Sequence, residues 1–399
     1  MAQIHALTPE GRLPSAAIGH VEELVVGKVD TDDPRLPALE PRDAALVSIT
    51  DSTGRSTWLE ANDVDGGPTE WAAEHIRAVI DSPVEWQEVE LGTGRGLWSE
   101  GPGGLQRITS DPSVIACWGD SLTDGDPQPY ITRETAWPAI LDADYAGGTT
   151  FNAGLGGLCS DEIAFRQGGY VITVDATTIP ASGSVDLTIQ NVIRWRLGSW
   201  NFPVTLAGVE GTFSRAGGVS TFTRATAGDP VSVPSGEPIR SIWGAQYADN
   251  VQVIFAGRND IAQDQSNPAG SPVDRTVAAT VAMVERLTPK HPRVLLVGTT
   301  TATNEVAGTA GYQQVQDINE TLRAMYPDSF YDLRAYLAHQ CIHDLGITPT
   351  AEDQTAMEGD TLPPSIMVPG DRIHFDAPAH TQVGHRIYEQ LTQRGWIPA

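Results

Sequence analysis

Cysteine, lysine and positive charge are all scarce in this sequence, and each shortage closes off a class of function. The three cysteines, Cys117, Cys159 and Cys341, are too few and too scattered for a disulfide framework or a cysteine-rich zinc site, so they are expected as buried free thiols. Lysine plus arginine number 25 against 51 aspartates and glutamates, a formal charge of -26. A surface of that sign repels the phosphate backbone that dominates nucleic-acid affinity, so nucleic acid is not an expected partner. Only Lys28 and Lys290 are lysines, a skew that carries no mechanistic meaning. No run reaches the roughly 18 apolar residues of a membrane span. The opening MAQIHALTPEGRLPSAAIGH has neither the basic start nor the apolar stretch of a signal peptide, so synthesis in the cytoplasm is expected.

What is present is the composition of a folded protein: 40% hydrophobic and 19% charged residues, with 40 glycines and 28 prolines over 399 residues. That length predicts two or three domains. Residues 1–110 are broken by Pro, Gly and Asp. They offer strand-like pieces at 22–29 and 45–50, a turn at 51–54 and one helical stretch at 70–80, which together read as a small accessory module. The segment GPGGLQRITSDP, residues 101–112, is the predicted linker, and a second domain is expected from 113 to 399.

In that second domain short apolar strands alternate with helices. Strands are predicted at 114–118, 251–256 and 293–298, with helices at 274–287, 312–326 and 379–393. Such alternation implies a parallel sheet covered by helices on both faces. The last helix carries Val383, Ile387 and Leu391 at four-residue steps, the stripe by which it would lie on the sheet. Between residues 167 and 242 the period changes to two, as in Val185, Leu187 and Ile189, so this stretch reads as a β-rich insert. Within it, EGTFSRAGGVSTFTRAT predicts a hairpin turning at Gly217-Gly218, since both central positions of a type I′ turn need positive φ; that register sets Phe213 opposite Phe222. The insert's Trp195, Trp200 and Trp243 could stack on sugar rings, although tryptophans in a small β module more often build its core.

The chemistry begins at Val-Ile-Ala-Cys-Trp-Gly-Asp-Ser-Leu, residues 114–122, an apolar strand ending in a glycine turn that carries Ser121. A serine at the carboxyl end of such a strand sits where open α/β sheets bind ligands. A nucleophilic serine needs a base, a carboxylate to orient the base, and donors for an oxyanion. Asp371-Arg372-Ile373-His374, just before the last helix, supplies an aspartate and a histidine three residues apart; His380 and His385 are rival bases inside the helix. Glycine-rich Asn152-Ala153-Gly154-Leu155-Gly156-Gly157 and the turn Gly257-Arg258-Asn259-Asp260 follow strand ends and could offer backbone and side-chain donors. Asp124 and Asp126 fit no calcium loop and read as solvated turn residues.

These four blocks in this order resemble the GDSL, or SGNH, hydrolases, a family of serine esterases and acylhydrolases. The resemblance spans about residues 113–394 outside the insert. It implies a flavodoxin-like three-layer α/β/α fold, no metal or organic cofactor, and an acyl-enzyme mechanism. Ser121 would be the nucleophile, His374 the general base and Asp371 its partner, with oxyanion donors from Ser121, Gly157 and Asn259. Asp120, Gly154 and Arg258 would line the substrate. Leu158-Cys159 stands where many members have Asp-Thr, and the insert lengthens the gap between Gly157 and Asn259 to about 100 residues. A short-chain, acetyl-type ester on a polysaccharide or glycolipid is the expected substrate. The front module and the first 17 residues also resemble tail proteins of phages that infect Gram-positive bacteria. That likeness implies attachment to other tail proteins through residues 1–110 and carriage on a virion. The rival reading is a receptor-binding tail protein that keeps the fold with little turnover.

Overall fold

The computed structural model describes residues 109–191, 193–196, 198–261 and 270–398 in full, and toward the N-terminus the backbone of five short strands together with Arg107. The chain separates into two compact units, residues 1–89 with 97–106, and residues 90–96 with 107–399. In the first, Gln3–His5, Ala45–Thr50 and Ser56–Ala61 form an antiparallel three-stranded sheet in that order. The expected strand at 45–50 is there; the strand at 22–29, the turn at 51–54 and the helix at 70–80 lie outside the described residues. The last division between the units along the chain, at 106/107, falls inside the expected linker, 101–112, but that segment is largely in strands. Trp98–Gly101 pairs with Gly104–Arg107, and Asp111 already opens the first strand of the next unit. Gly101, Gly104 and Pro112 of that segment lie within strands.

The second unit is built on five parallel strands: β1 (Asp111–Gly119), β2 (Thr149–Asn152), β3 (Asn250–Phe255), β4 (Val294–Val297) and β5 (Phe330–Tyr331). Their order across the sheet is β2-β1-β3-β4-β5, the flavodoxin-like doubly wound arrangement. Successive residues of a strand face opposite sides, so each strand must be apolar at nearly every position to bury both. Ala116, Trp118, Ile254 and Leu296 pack on one face against α2 (Ser160–Gln167), α3 (Pro272–Glu285) and α4 (Ala310–Met325). Ile115, Cys117, Val253 and Leu295 pack on the other, against α1 (Trp137–Asp144) and α5 (Ala377–Gln393), with the Val383, Ile387 and Leu391 stripe fully buried. The result is a three-layer α/β/α sandwich. All three cysteines are buried and unpaired in it.

The insert leaves after α2 and returns just before β3. Six of its strands form one antiparallel sheet, and Thr177–Ile179 pairs with Val231–Val233 beside it. Its hairpin turns at Gly217 and Gly218, both at positive φ, 57° and 86°, and Phe213 stands opposite Phe222 as the turn requires. The insert has no separate core. Phe202 and Phe213 meet the ring of Phe165 on α2 edge-on at 5.0 and 5.2 Å, and Trp195 and Trp200 close around the same ring. Trp243 packs on Phe151 of β2 and Phe202. Trp200 is thus a core residue, and Trp195 and Trp243 are partly buried against the same core.

Candidate active site

The sheet's topological switch lies between β1 and β3, and the strand ends on both sides of it carry the candidate residues. β1 ends at Gly119, where any Cβ would overlap the Thr123 side chain and the Phe255 carbonyl, so the turn out of the sheet needs glycine. Asp120 then caps the short helical turn Ser121–Asp124, its Oδ1 accepting the Leu122 N–H at 3.0 Å, and Ser121 is held at the head of that turn, 8% exposed. His374 lies 253 residues further along, in the loop before α5, yet its Nε2 is 2.8 Å from Ser121 Oγ. Its Nδ1 is 2.9 Å from Asp371 Oδ2, while Asp371 Oδ1 accepts the backbone N–H groups of Ile373 and His374 at 2.7 and 2.9 Å. Partial burial raises the Asp371 pKa, but those two N–H bonds and the imidazole outweigh it and hold the carboxyl below its ordinary value.

Asn259 arrives from the other strand end, on a tight turn after β3 made possible by Gly257 at φ 107°. Its Nδ2 donates to the Leu158 carbonyl at 2.9 Å and makes a longer contact of 3.3 Å with Asp120 Oδ2. Full burial raises the Asp120 pKa to about 6 against the opposing pull of the Leu122 N–H and of His374, Arg258 and Arg196. Gly157 has φ 86°, and its N–H has no acceptor among the described residues, whereas the Gly156 N–H is taken by Asp124 Oδ2 at 3.1 Å. Gly156 lies beside the serine: a Cβ on it would stand 3.7 Å from Ser121 Cβ and against the Asp126 carboxylate.

The remaining expected residues are already occupied by the protein. Asp120 serves as cap and as the neighbour of Asn259. Gly154 lets the chain after β2 pass directly over the Asp124 backbone, and its carbonyl accepts Arg133 at 2.9 Å. Arg258 is buried, with both terminal nitrogens 2.7 Å from the Glu305 carboxylate and one also on the Thr300 carbonyl. Substrate contact was expected of its guanidinium; the geometry gives it instead to the loop after β4. Of the rival bases, His380 is fully buried, with a pKa pushed down to about 3 by burial, and accepts the Trp137 N–H through Nδ1. His385 does have an acid partner, Asp144 at 2.6 Å, which sequence spacing concealed because it sits on α1.

Three residues near the serine were given no role at the site by the sequence. Asp260, fully buried, accepts the N–H and hydroxyl of Ser160 at 2.8 and 3.0 Å and so ties the Asn259 turn to the start of α2. Asp126 borders Gly156, and Arg196 of the insert donates to the Gly157 carbonyl at 2.6 Å. The only available cue for Asp260 was its place after Asn259; nothing in the text of the insert marks Arg196. Among the described residues there is no cluster of three or more His, Cys, Asp or Glu side chains able to hold a metal ion, and no helix long and apolar enough to cross a membrane.

No family profile matches this chain, and no curated protein matches it by sequence. Solved structures do. It is similar to a member of the lipolytic G-D-S-L family from Veillonella parvula, at 13% identity and a TM-score of 0.37, covering 70% of this chain and 98% of that one. An acetyl xylan esterase matches at 13% identity and 0.38 over 69% and 98%, and a peptidoglycan O-acetylesterase at 12% and 0.32 over 71% and 91%. At that similarity no activity is carried over, and function is argued from the site alone.

Proposed function

We propose that this chain is a serine ester hydrolase. The observation that carries the proposal is the unbroken line Ser121 Oγ, His374, Asp371, at 2.8 and 2.9 Å, assembled from opposite ends of the unit at the switch point of the sheet. Ser121 Oγ attacks the ester carbonyl as neutral His374 takes its proton through Nε2. Asp371 fixes the tautomer by accepting the Nδ1 proton and balances the imidazolium that forms. The C–O bond to the alcohol then breaks, the imidazolium returns the proton to the departing oxygen, and water repeats the sequence on the acyl-enzyme. The oxyanion faces the Ser121 and Gly157 N–H groups and the Asn259 Nδ2 hydrogen now spent on the long contact with Asp120.

The acyl group is short in this reading. Asp120 and Asp126 flank the serine, and carboxylates do not solvate an alkyl chain, so an acetyl ester suits the surroundings better than a lipid. We assign an acetylated carbohydrate as the natural substrate class, to be checked by acetate release from a panel of acetylated glycans. The primary experiment is release of p-nitrophenol from its acetate by the wild type and Ser121→Ala. Turnover confined to the wild type is expected; equal rates would discard the hydrolase reading.

A further inference from the structure

We infer that Arg196, carried by the β-rich insert, is a positioning residue for the oxyanion side of the site, so that the insert is part of the catalytic apparatus. The inference rests on the ester hydrolase reading. Its basis is a short strap of the insert, residues 193–196, laid along the turn that leads from Gly157 into α2. The Arg194 N–H donates to Asp161 Oδ2 at 2.7 Å, the Cys159 thiol to the Arg194 carbonyl at 3.5 Å, and the Arg196 N–H to Glu162 Oε1 at 3.1 Å. The Arg196 guanidinium then reaches back to the Gly157 carbonyl at 2.6 Å. The next carbonyl, that of Leu158, is taken by Asn259. Two consecutive carbonyls are thus fixed, one from the insert and one from the block after β3, and the Gly157 N–H just before them has no acceptor among the described residues.

A glycine held at φ 86° has no side chain to anchor it, so its peptide planes are set by what their carbonyls and N–H groups bind. Arg196 suits that task for a physical reason. Among the described residues it makes no ion pair with a carboxylate and its one side-chain hydrogen bond goes to this peptide; its side chain is exposed. Its charge also lies close enough to Asp120 to favour the ionised form of that carboxyl. An oxyanion donor displaced by a fraction of an ångström loses much of its effect on the transition state and little of its effect on substrate binding.

The test compares Arg196→Gln, Arg196→Lys and, as a control, Arg240→Gln, which removes the same charge from an exposed position of the insert far in sequence from the strap. With p-nitrophenyl acetate, Arg196→Gln should lower kcat about 10- to 100-fold with KM within about twofold. Its affinity for a boronic acid, whose tetrahedral adduct on the serine presents an oxyanion, should fall by the same factor. Arg196→Lys should recover part of both losses, and Arg240→Gln should match the wild type. Wild-type kcat in Arg196→Gln, a change in KM alone, or a kcat loss without weaker boronate binding would overturn the inference. If the wild type itself shows no turnover, the hydrolase reading fails separately. Hydrogen exchange at residues 156–162 then decides the positioning role, which faster exchange in Arg196→Gln supports and unchanged exchange refutes.

Discussion

The Asp371 carboxyl is kept ionised by its own turn: the N–H groups of Ile373 and His374 close on one oxygen and leave the other for the imidazole. The spacing of aspartate and histidine, three residues, is what allows both contacts at once. Asp371→Asn keeps the shape but offers Nδ1 an ambiguous partner, so the imidazole loses its fixed tautomer; a fall in kcat on the order of 10³–10⁴ is expected from steady-state kinetics. Asn259→Ala removes one donor to the oxyanion and should cost about 10²–10³ in kcat, less than Ser121→Ala. The pairing of Asp371 with His374 was legible from their three-residue spacing, whereas the oxyanion role expected of Asn259 came with the family resemblance. The partner of Arg258 was not legible: a guanidinium in a strand-end turn looks available to a ligand until Glu305, 47 positions away, is seen to hold it with two bonds.

At the scale of elements, what was legible followed hydrophobic period. The helices announced by the sequence begin at Ser271, Thr309 and Asp376, whose side chains each accept a backbone N–H of the first turn. Others went unannounced whether capped or not: Leu333–His339 and Ala351–Glu358 start behind the caps Asp332 and Thr350, whereas α1 and α2 begin at Ala136 and Cys159 and are fixed by burial of Trp137, Leu141 and Phe165. Glycines divide in the same way. Gly217 and Gly218 were readable as a turn because local twist demands them, and replacing Gly218 with Ala should destabilise by about 1–2 kcal/mol in thermal unfolding. Gly154 is required by a neighbour remote in sequence, since a Cβ there would overlap the Asp124 nitrogen. Gly154→Ala should therefore cost about 1–3 kcal/mol and disturb the serine turn as well, read as a lowered melting temperature together with lost activity.

Across the whole molecule, buried carboxyls set the response to pH. Burial raises the Asp260 pKa from 3.8 to about 7, opposed by its bonds from Ser160, and Asp120 is raised to about 6. An acid whose pKa is higher in the folded chain favours folding while protonated, so this contribution is full below 3.8 and is lost as the pH climbs toward about 7. The melting temperature should fall over that window. Asp260→Asn, which can still meet Ser160 with one acceptor and one donor, should flatten the fall; an unchanged slope would exclude Asp260 as its source. The formal charge of -26 adds self-repulsion, so moderate salt should raise the melting temperature of the wild type.

Period, turn chemistry and the order of four short blocks determined the fold class, the place of the insert, its aromatic hairpin pair and the list of residues from which a serine site can be made. These are local properties, written in each segment whatever its neighbours. Only tertiary structure decided which of those residues meet. Parallel strands carry Ser121 and Asn259 to one edge, the loop before the last helix brings His374 across, and the insert delivers Arg196 to a glycine 39 positions earlier. Distance in space between segments far apart in the chain depends on how every layer packs, and no single segment contains it.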